Sequence, residues 1–163
     1  MTPEQLMALA SARGVNLEAC SRGGEPDWTA EDVALASSGL GPIEFSAAMF
    51  SLAGDDSQWT RLRTYLLEYL LYERERMQWA RKVETVDGRR VRFAEPLVEL
   101  WLLEERCPAK FQVSPHLRAI ALRVEAEEWR KTVSHQWMAV ASEYRRRLLD
   151  AEEHIRRKLR GGY

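Results

Sequence analysis

Apolar residues in the last third of the chain recur at three- and four-residue steps: Trp129, Val133, Trp137, Ala141, Tyr144, Leu148, Ala151, Ile155 and Leu159. An α-helix turns once in about 3.6 residues, so this spacing lines them along one stripe. Most other positions of the stretch are polar and rich in cations, among them Arg130, Lys131, Arg145, Arg146, Arg147, Arg156, Arg157, Lys158 and Arg160. The pattern predicts a helix that packs by an aromatic-rich face and turns charge outward. The rest of the chain is organised around it.

Upstream, helical patterns alternate with start and stop signals. Thr2-Pro3-Glu4 predicts a short helix to about Ala12, followed by an irregular linker containing Gly23-Gly24 and Pro26. Thr29 and Asp32 stand at capping-box spacing and open a second helix that stops at Gly39. Gly41-Pro42 starts a third, through Phe45, Ala48 and Met49 to Ala53, with Gly54 as terminator. Asp55, Asp56 and Ser57 offer caps for a longer fourth helix to about Val83. Its Trp59, Leu62, Leu66, Tyr69 and Leu70, widened by Leu67 and Leu71, predict two covered faces and a central place in a bundle.

Asp87-Gly88, between Val83–Val86 and Arg89–Phe93, is the one hairpin signal and supports a two-stranded ribbon at most. Glu95-Pro96 begins a fifth helix through Leu97, Leu100, Trp101 and Leu103 that ends before Pro108. Ser114-Pro115 is a further helix start, with Leu117, Ile120, Ala121 and Val124 able to face a core. No glycine or proline lies between Val124 and Trp129, so periodicity leaves open whether the chain bends there or runs straight on.

At 163 residues with 45% hydrophobic content, one domain with a real core is expected. No apolar run is long enough to span a bilayer, and the N-terminus has no basic region leading into an apolar one, so neither membrane insertion nor secretion is expected. Cys20 and Cys107 are far apart, which suits reduced thiols and offers no zinc ligand set. Net charge is only −1, but it is unevenly spread. Residues 1–60 carry two bases against nine acids, 61–113 eleven against nine, and 114–163 eleven against seven. An acidic front and a basic rear suit a nucleic-acid-binding end joined to a differently charged partner-binding end. A merely solvated basic face is the plain alternative.

Catalytic signatures are missing. Gly23-Gly24 and Gly161-Gly162 lack the lysine and hydroxyl residue of a phosphate loop. His116, His135 and His154 are 19 residues apart, which matches no short metal motif and points to structural histidines. Glu104-Glu105 and Glu127-Glu128 are sequence neighbours that a helix points about 100° apart, a poor geometry for an acid/base pair. No enzyme, cofactor or metal is expected. What remains is the run 129–135. Trp129 and Val133 face the core, while Arg130, Lys131, Thr132, Ser134 and His135 point elsewhere, as in a recognition helix. Arg130 or Lys131 can read guanine through its two acceptors, and Thr132 and Ser134 can reach bases or phosphates. Glu125, Glu127 and Glu128 just upstream oppose this if they face DNA.

The chain resembles the lambdoid phage Q transcription antitermination proteins over about residues 30–160. The matching features are Asp32-Val33, Gly39-Leu40, Phe45, Ala48 and Phe50, then Ser114, Arg118-Ala119-Ile120, Trp129, Lys131-Thr132-Val133, Trp137, Ala139, Glu152 and Ile155. Two departures are visible. The family's two Cys-x-x-Cys pairs, which form a zinc-binding insertion, are reduced here to Cys107-Pro108-Ala109-Lys110-Phe111, and the segment from Ser114 to Trp129 is shorter. The resemblance implies an all-α multi-helix bundle with a C-terminal helix-turn-helix. Its expected parts are an arm at 1–27, a polymerase-interacting helical body at 28–106 and a DNA-binding region at 107–163. It also implies contacts from Lys131 and Thr132 to double-stranded promoter DNA, with Arg118 in support. The implied partners are the core of bacterial RNA polymerase, including the β flap, and its σ factor, in the cytoplasm at the host nucleoid. The implied activity is read-through of terminators. Two other functions fit the residues: a conventional helical repressor or activator, and an oligomeric phage packaging or assembly protein with Tyr144, Leu148, Ile155 and Leu159 as a subunit seam.

Overall fold

The computed structural model describes residues 28–76, 94–106 and 114–161. The expected first helix and linker, the end of the fourth helix with the Asp87-Gly88 hairpin, and the Cys107–Val113 connector lie outside them. Among the described residues every regular element is helical, as the all-α expectation required.

Helix α1, Ala30–Ala36, opens on a complete capping box. The Thr29 hydroxyl accepts from the Asp32 amide at 3.1 Å, and the Asp32 carboxylate accepts from the Thr29 amide at 3.0 Å. Asp32 thus serves where glutamate or glutamine is usual. Gly39, at φ 90°, lets the chain turn back into α2, Pro42–Ser51, whose first residue is the expected proline. A 3-10 turn at Asp56–Gln58, capped by Asp55, leads into α3, Trp59–Arg76. Then come α4, Ala94–Arg106, and α5, Pro115–Leu122, which Ser114 caps through the Leu117 amide at 3.3 Å. The last helix, α6, has three consecutive parts: Ala126–Glu128, a π-helical turn at Trp129–Val133, and Ser134–Gly161. At 1.5 Å per residue it is roughly 50 Å long.

α6 is the hub, packing against α1, α2, α3 and α4. Its stripe Trp129, Val133, Trp137, Ala141, Tyr144, Leu148, Ala151 and Ile155 is buried throughout. The main core gathers Phe50 from α2, Leu62, Leu66 and Leu70 from α3, Leu97, Trp101 and Leu102 from α4, and Leu122 from α5 around the first half of α6. A second cluster, Val33, Ala36 and Ala48 with Ala151 and Ile155, clamps α1 and α2 onto its far half, and Leu159 packs against it. Core therefore runs continuously across the expected boundary at 107. The seam residues of the assembly reading are occupied by the chain's own core.

α3 buries Leu62, Leu66 and Leu70, with Trp59, Tyr65 and Leu67 partly buried against the same core, and packs on α2, α4 and α6, while Leu71 and Tyr72 stay exposed. One expectation needs correction. In α5 the inward residues are Ala119, Ala121 and Leu122, while Leu117 is exposed and Ile120 is 47% exposed. Ala119 and Leu122, three residues apart, share the inward face, and Ile120 lies about 100° round the helix from Ala119 and outside it.

Polar contacts tie the helices together. Arg63 on α3 meets Glu99 at 2.7 Å and Glu95 at 3.2 Å on α4. Arg106, at the end of α4, donates to Asp56 at 2.7 Å and to the Gly54 carbonyl at 3.0 Å. The Trp101 and Tyr144 rings are 4.7 Å apart, and the Tyr144 hydroxyl reaches that of Ser51 at 2.5 Å. His154 contacts the Ser38 carbonyl at 3.0 Å, a structural role.

Candidate nucleic-acid interface

α5 ends in a Schellman turn. The Val124 amide donates to the Ala119 carbonyl at 3.0 Å and the Arg123 amide to the Ile120 carbonyl at 3.1 Å. Arg123 sits between them in the left-handed region, at φ 55° and ψ 40°. Such a motif satisfies the carbonyls that a helix end leaves unpaired, and the contact of Val124 with the start of the motif closes it. Glu125 is extended, and α6 begins at Ala126. Three residues, 123–125, therefore join two separate helices. The structure settles the question left by the sequence in favour of a helix, a short turn and a helix.

The first turns of α6 are fixed from behind. Trp129, Val133 and Trp137 are buried, with the two indoles 5.9 Å apart and tilted by 58°. Within this anchor the Ser134 amide reaches back to the Trp129 carbonyl, a five-residue step that makes the turn π-helical. Such wide turns recur at functional sites. On the open side lie Arg130, Lys131 and His135, all exposed. Thr132 is half-buried. Ser134 is also half-buried, and its hydroxyl donates to the Arg130 carbonyl at 3.1 Å, so it is turned onto its own helix. Met138 continues the exposed face toward Arg145 and Leu149.

The charges of this surface are nearly balanced. Lys131 pairs with Glu127 at 2.5 Å, but both side chains are 65% exposed. A pair so open contributes little and leaves Lys131 able to change partner. Arg130 has no ion pair among the described residues. Glu125 is exposed at the entry to the helix.

Arg118 does not join the group. Its guanidinium makes a two-point contact with Glu104, at 2.9 and 2.6 Å, and lies 4.4 Å from the centre of the Trp137 ring. Glu104 is only 11% exposed, and burial pushes its carboxyl above the ordinary value of 4.5 despite the opposing pull of Arg118. The expected supporting DNA contact is thus a residue engaged within the fold, in a positioning role. Arg118 bolts α5 to α4 and covers the indole that anchors α6.

Much of the remaining basic surface is also engaged internally. Glu143, buried on α6, accepts from the Tyr65 hydroxyl, from Arg146 at 2.7 Å and from Arg147 at 2.9 Å. Arg147 continues to Glu44 on α2 and lies 5.3 Å from the Tyr65 ring. Burial alone would raise the Glu143 carboxyl, but these three donors outweigh it and hold it below 4.5. The Tyr65 hydroxyl is pushed up to about 12 by burial and by the neighbouring carboxylate. Arg156 lies over Trp28 at 6.0 Å, and Arg157 approaches Glu153 at 3.7 Å. Arg145, by contrast, is exposed and unpaired among the described residues.

The structure thus leaves Arg130, Lys131 and His135 exposed on the first turns of α6, holds Thr132 and Ser134 half-buried beside them, and engages Arg118 with Glu104. Sequence reasoning missed Arg123, Glu104 and Glu143. Only Glu143 carried a signal: it interrupts the cations of α6 three and four residues before Arg146 and Arg147, the spacing of helical ion pairs. Among the described residues no helix is long and apolar enough to cross a membrane. No protein-family model, curated protein or solved structure matches the chain.

Proposed function

We propose that this protein binds double-stranded DNA with the first two turns of α6 and acts on transcription as an antitermination factor. In this reading it takes promoter-proximal DNA and engages RNA polymerase paused there, through the σ factor and the core enzyme including the β flap. Polymerase then carries it past terminators. The function is one of binding rather than catalysis.

One observation carries the DNA part: a three-residue turn links α5 to a helix whose back is anchored by Trp129, Val133 and Trp137 while Arg130, Lys131 and His135 are open. A recognition helix needs that division, with rigid packing behind and donors in front. Arg130 and Lys131 are suited to the acceptors of guanine, and His135 and the margin residues Thr132 and Ser134 to phosphate or base edges. The transcriptional part rests on the resemblance to Q proteins. It is supported by the acidic front of the chain, which suits basic polymerase surfaces near the RNA exit channel.

Transcription by polymerase from the cognate promoter through a downstream terminator, with and without the protein, tests this reading. Increased read-through that disappears with Arg130→Ala or Lys131→Ala is expected. DNA binding with unchanged termination would make the protein a conventional repressor or activator using the same helix.

A further inference from the structure

Arg123 is the one non-glycine residue with positive φ among the described residues. The left-handed position of a Schellman turn is usually glycine, because any Cβ there crowds the backbone. This chain follows that rule elsewhere, with Gly39 and Gly54 both at positive φ. At 123 it keeps an arginine, in a strained conformation, in the connection that sets α5 against α6. Its side chain is exposed and has no ion pair or side-chain hydrogen bond among the described residues. Strain retained at an exposed side chain with no polar partner among the described residues directs attention outside the fold.

Position and charge indicate what lies outside. Three Cα steps lead from Arg123 to Ala126, so its Cα lies within about 11 Å of the start of α6. The major groove of DNA is about 12 Å wide, so a helix seated along it has a phosphate rim about half that distance away on either side. An arginine leaving the turn can reach that rim while Arg130 and Lys131 approach the bases. From 123 to 131 the chain carries three cations, Arg123, Arg130 and Lys131, against three carboxylates, Glu125, Glu127 and Glu128. Without Arg123 this segment would be net acidic and would repel DNA.

Resting on the reading of α6 as a DNA-binding helix, we infer that Arg123 is a phosphate anchor, whose guanidinium grips the duplex backbone beside the groove that α6 enters. Its fork of N–H donors matches phosphate oxygens at two points. The contact carries no sequence information and serves to fix the register of Arg130 and Lys131 on the duplex.

The test uses the full chain as wild type, Arg123→Gly, Arg123→Asn and Arg123→Lys. Each is titrated against a mixed-sequence duplex of about 25 base pairs, at several salt concentrations between about 50 and 200 mM, and its melting temperature is recorded. Arg123→Gly is expected to melt about 2–4 °C higher, because left-handed strain is relieved. It should nonetheless bind DNA more weakly, with a salt slope shallower by about 0.9 log unit, the loss of one phosphate contact. Arg123→Asn, which tolerates the left-handed conformation, should lose the same contact, and Arg123→Lys should keep most of the slope. Greater stability with weaker binding excludes unfolding as the cause. Glycine and asparagine variants that retain wild-type affinity and slope overturn the anchor and leave the DNA-binding reading standing. Wild-type protein without salt-sensitive binding overturns both.

Discussion

Arg118 and Glu104 form a two-point ion pair, Nε to Oε1 at 2.9 Å and Nη2 to Oε2 at 2.6 Å, with the guanidinium set against the Trp137 ring. It joins α4, α5 and α6 at the place where the short α5 would otherwise be held mainly by small residues. Arg118→Ala should therefore lower stability by about 1–3 kcal/mol, the range for a charged hydrogen-bonded group whose partner is left largely buried. Arg118→Lys should recover little of this, since an ammonium cannot reproduce the fork. Urea denaturation measures both. A neutral Arg118→Ala would mean that Arg118 does not position α5.

Gln136 is only 3% exposed, and its amide has no hydrogen-bond partner among the described residues. A buried amide without partners costs free energy that a thioether of similar length does not. Gln136→Met is expected to stabilise the protein by about 1–2 kcal/mol, raising the melting temperature without altering DNA affinity. A destabilised variant would mean that the amide is satisfied after all.

Acid stability divides between two carboxylates. The folded-state pKa of Glu143 is lowered, because the donors Tyr65, Arg147 and Arg146 outweigh burial. Its stabilisation is thus complete above 4.5, the ordinary value, and is lost as the pH falls through its depressed folded pKa. Glu104 is raised by burial, so its ionisation opposes folding at higher pH and that opposition is relieved on acidification. Melting temperatures recorded between about pH 3 and 7 should fall less steeply with acid in Glu143→Gln and more steeply in Glu104→Gln. Parallel curves for the three proteins would refute the assignment.

Glu127 both pairs with Lys131 and adds negative charge beside the open surface. Glu127→Gln should tighten DNA binding and steepen its salt dependence, as Lys131 is released and a repulsive charge is removed. Lys131→Ala or Arg130→Ala should weaken binding by about 1–3 kcal/mol where a base pair is read. Fluorescence anisotropy on one duplex measures all three. Weaker binding by Glu127→Gln would place this surface away from DNA.

The central helix was legible because one pattern held from Trp129 to Leu159 and the structure buries it almost throughout. The caps at Thr29 and Ser114 and the proline starts at Pro42 and Pro115 were legible for a local reason: each acts within a single turn of chain. The turn at Arg123 was not, because its left-handed residue is an arginine and the usual glycine signal is missing. Arg118 illustrates a second limit. An exposed arginine and one engaged by Glu104, fourteen residues earlier, look alike until the chain is folded. The cations of α6 likewise suggested a freer basic surface than Glu143 and Glu44 leave.

Selection of bound duplexes from a random-sequence pool, carried out in parallel with wild type, Arg130→Ala and Lys131→Ala, decides whether α6 reads DNA sequence. If the first turns of α6 read DNA, wild type enriches a defined sequence, and at least one variant loses preference at one position of it while keeping the rest. If wild type enriches nothing, or both variants enrich the same sequence with the same stringency, α6 is not the reader.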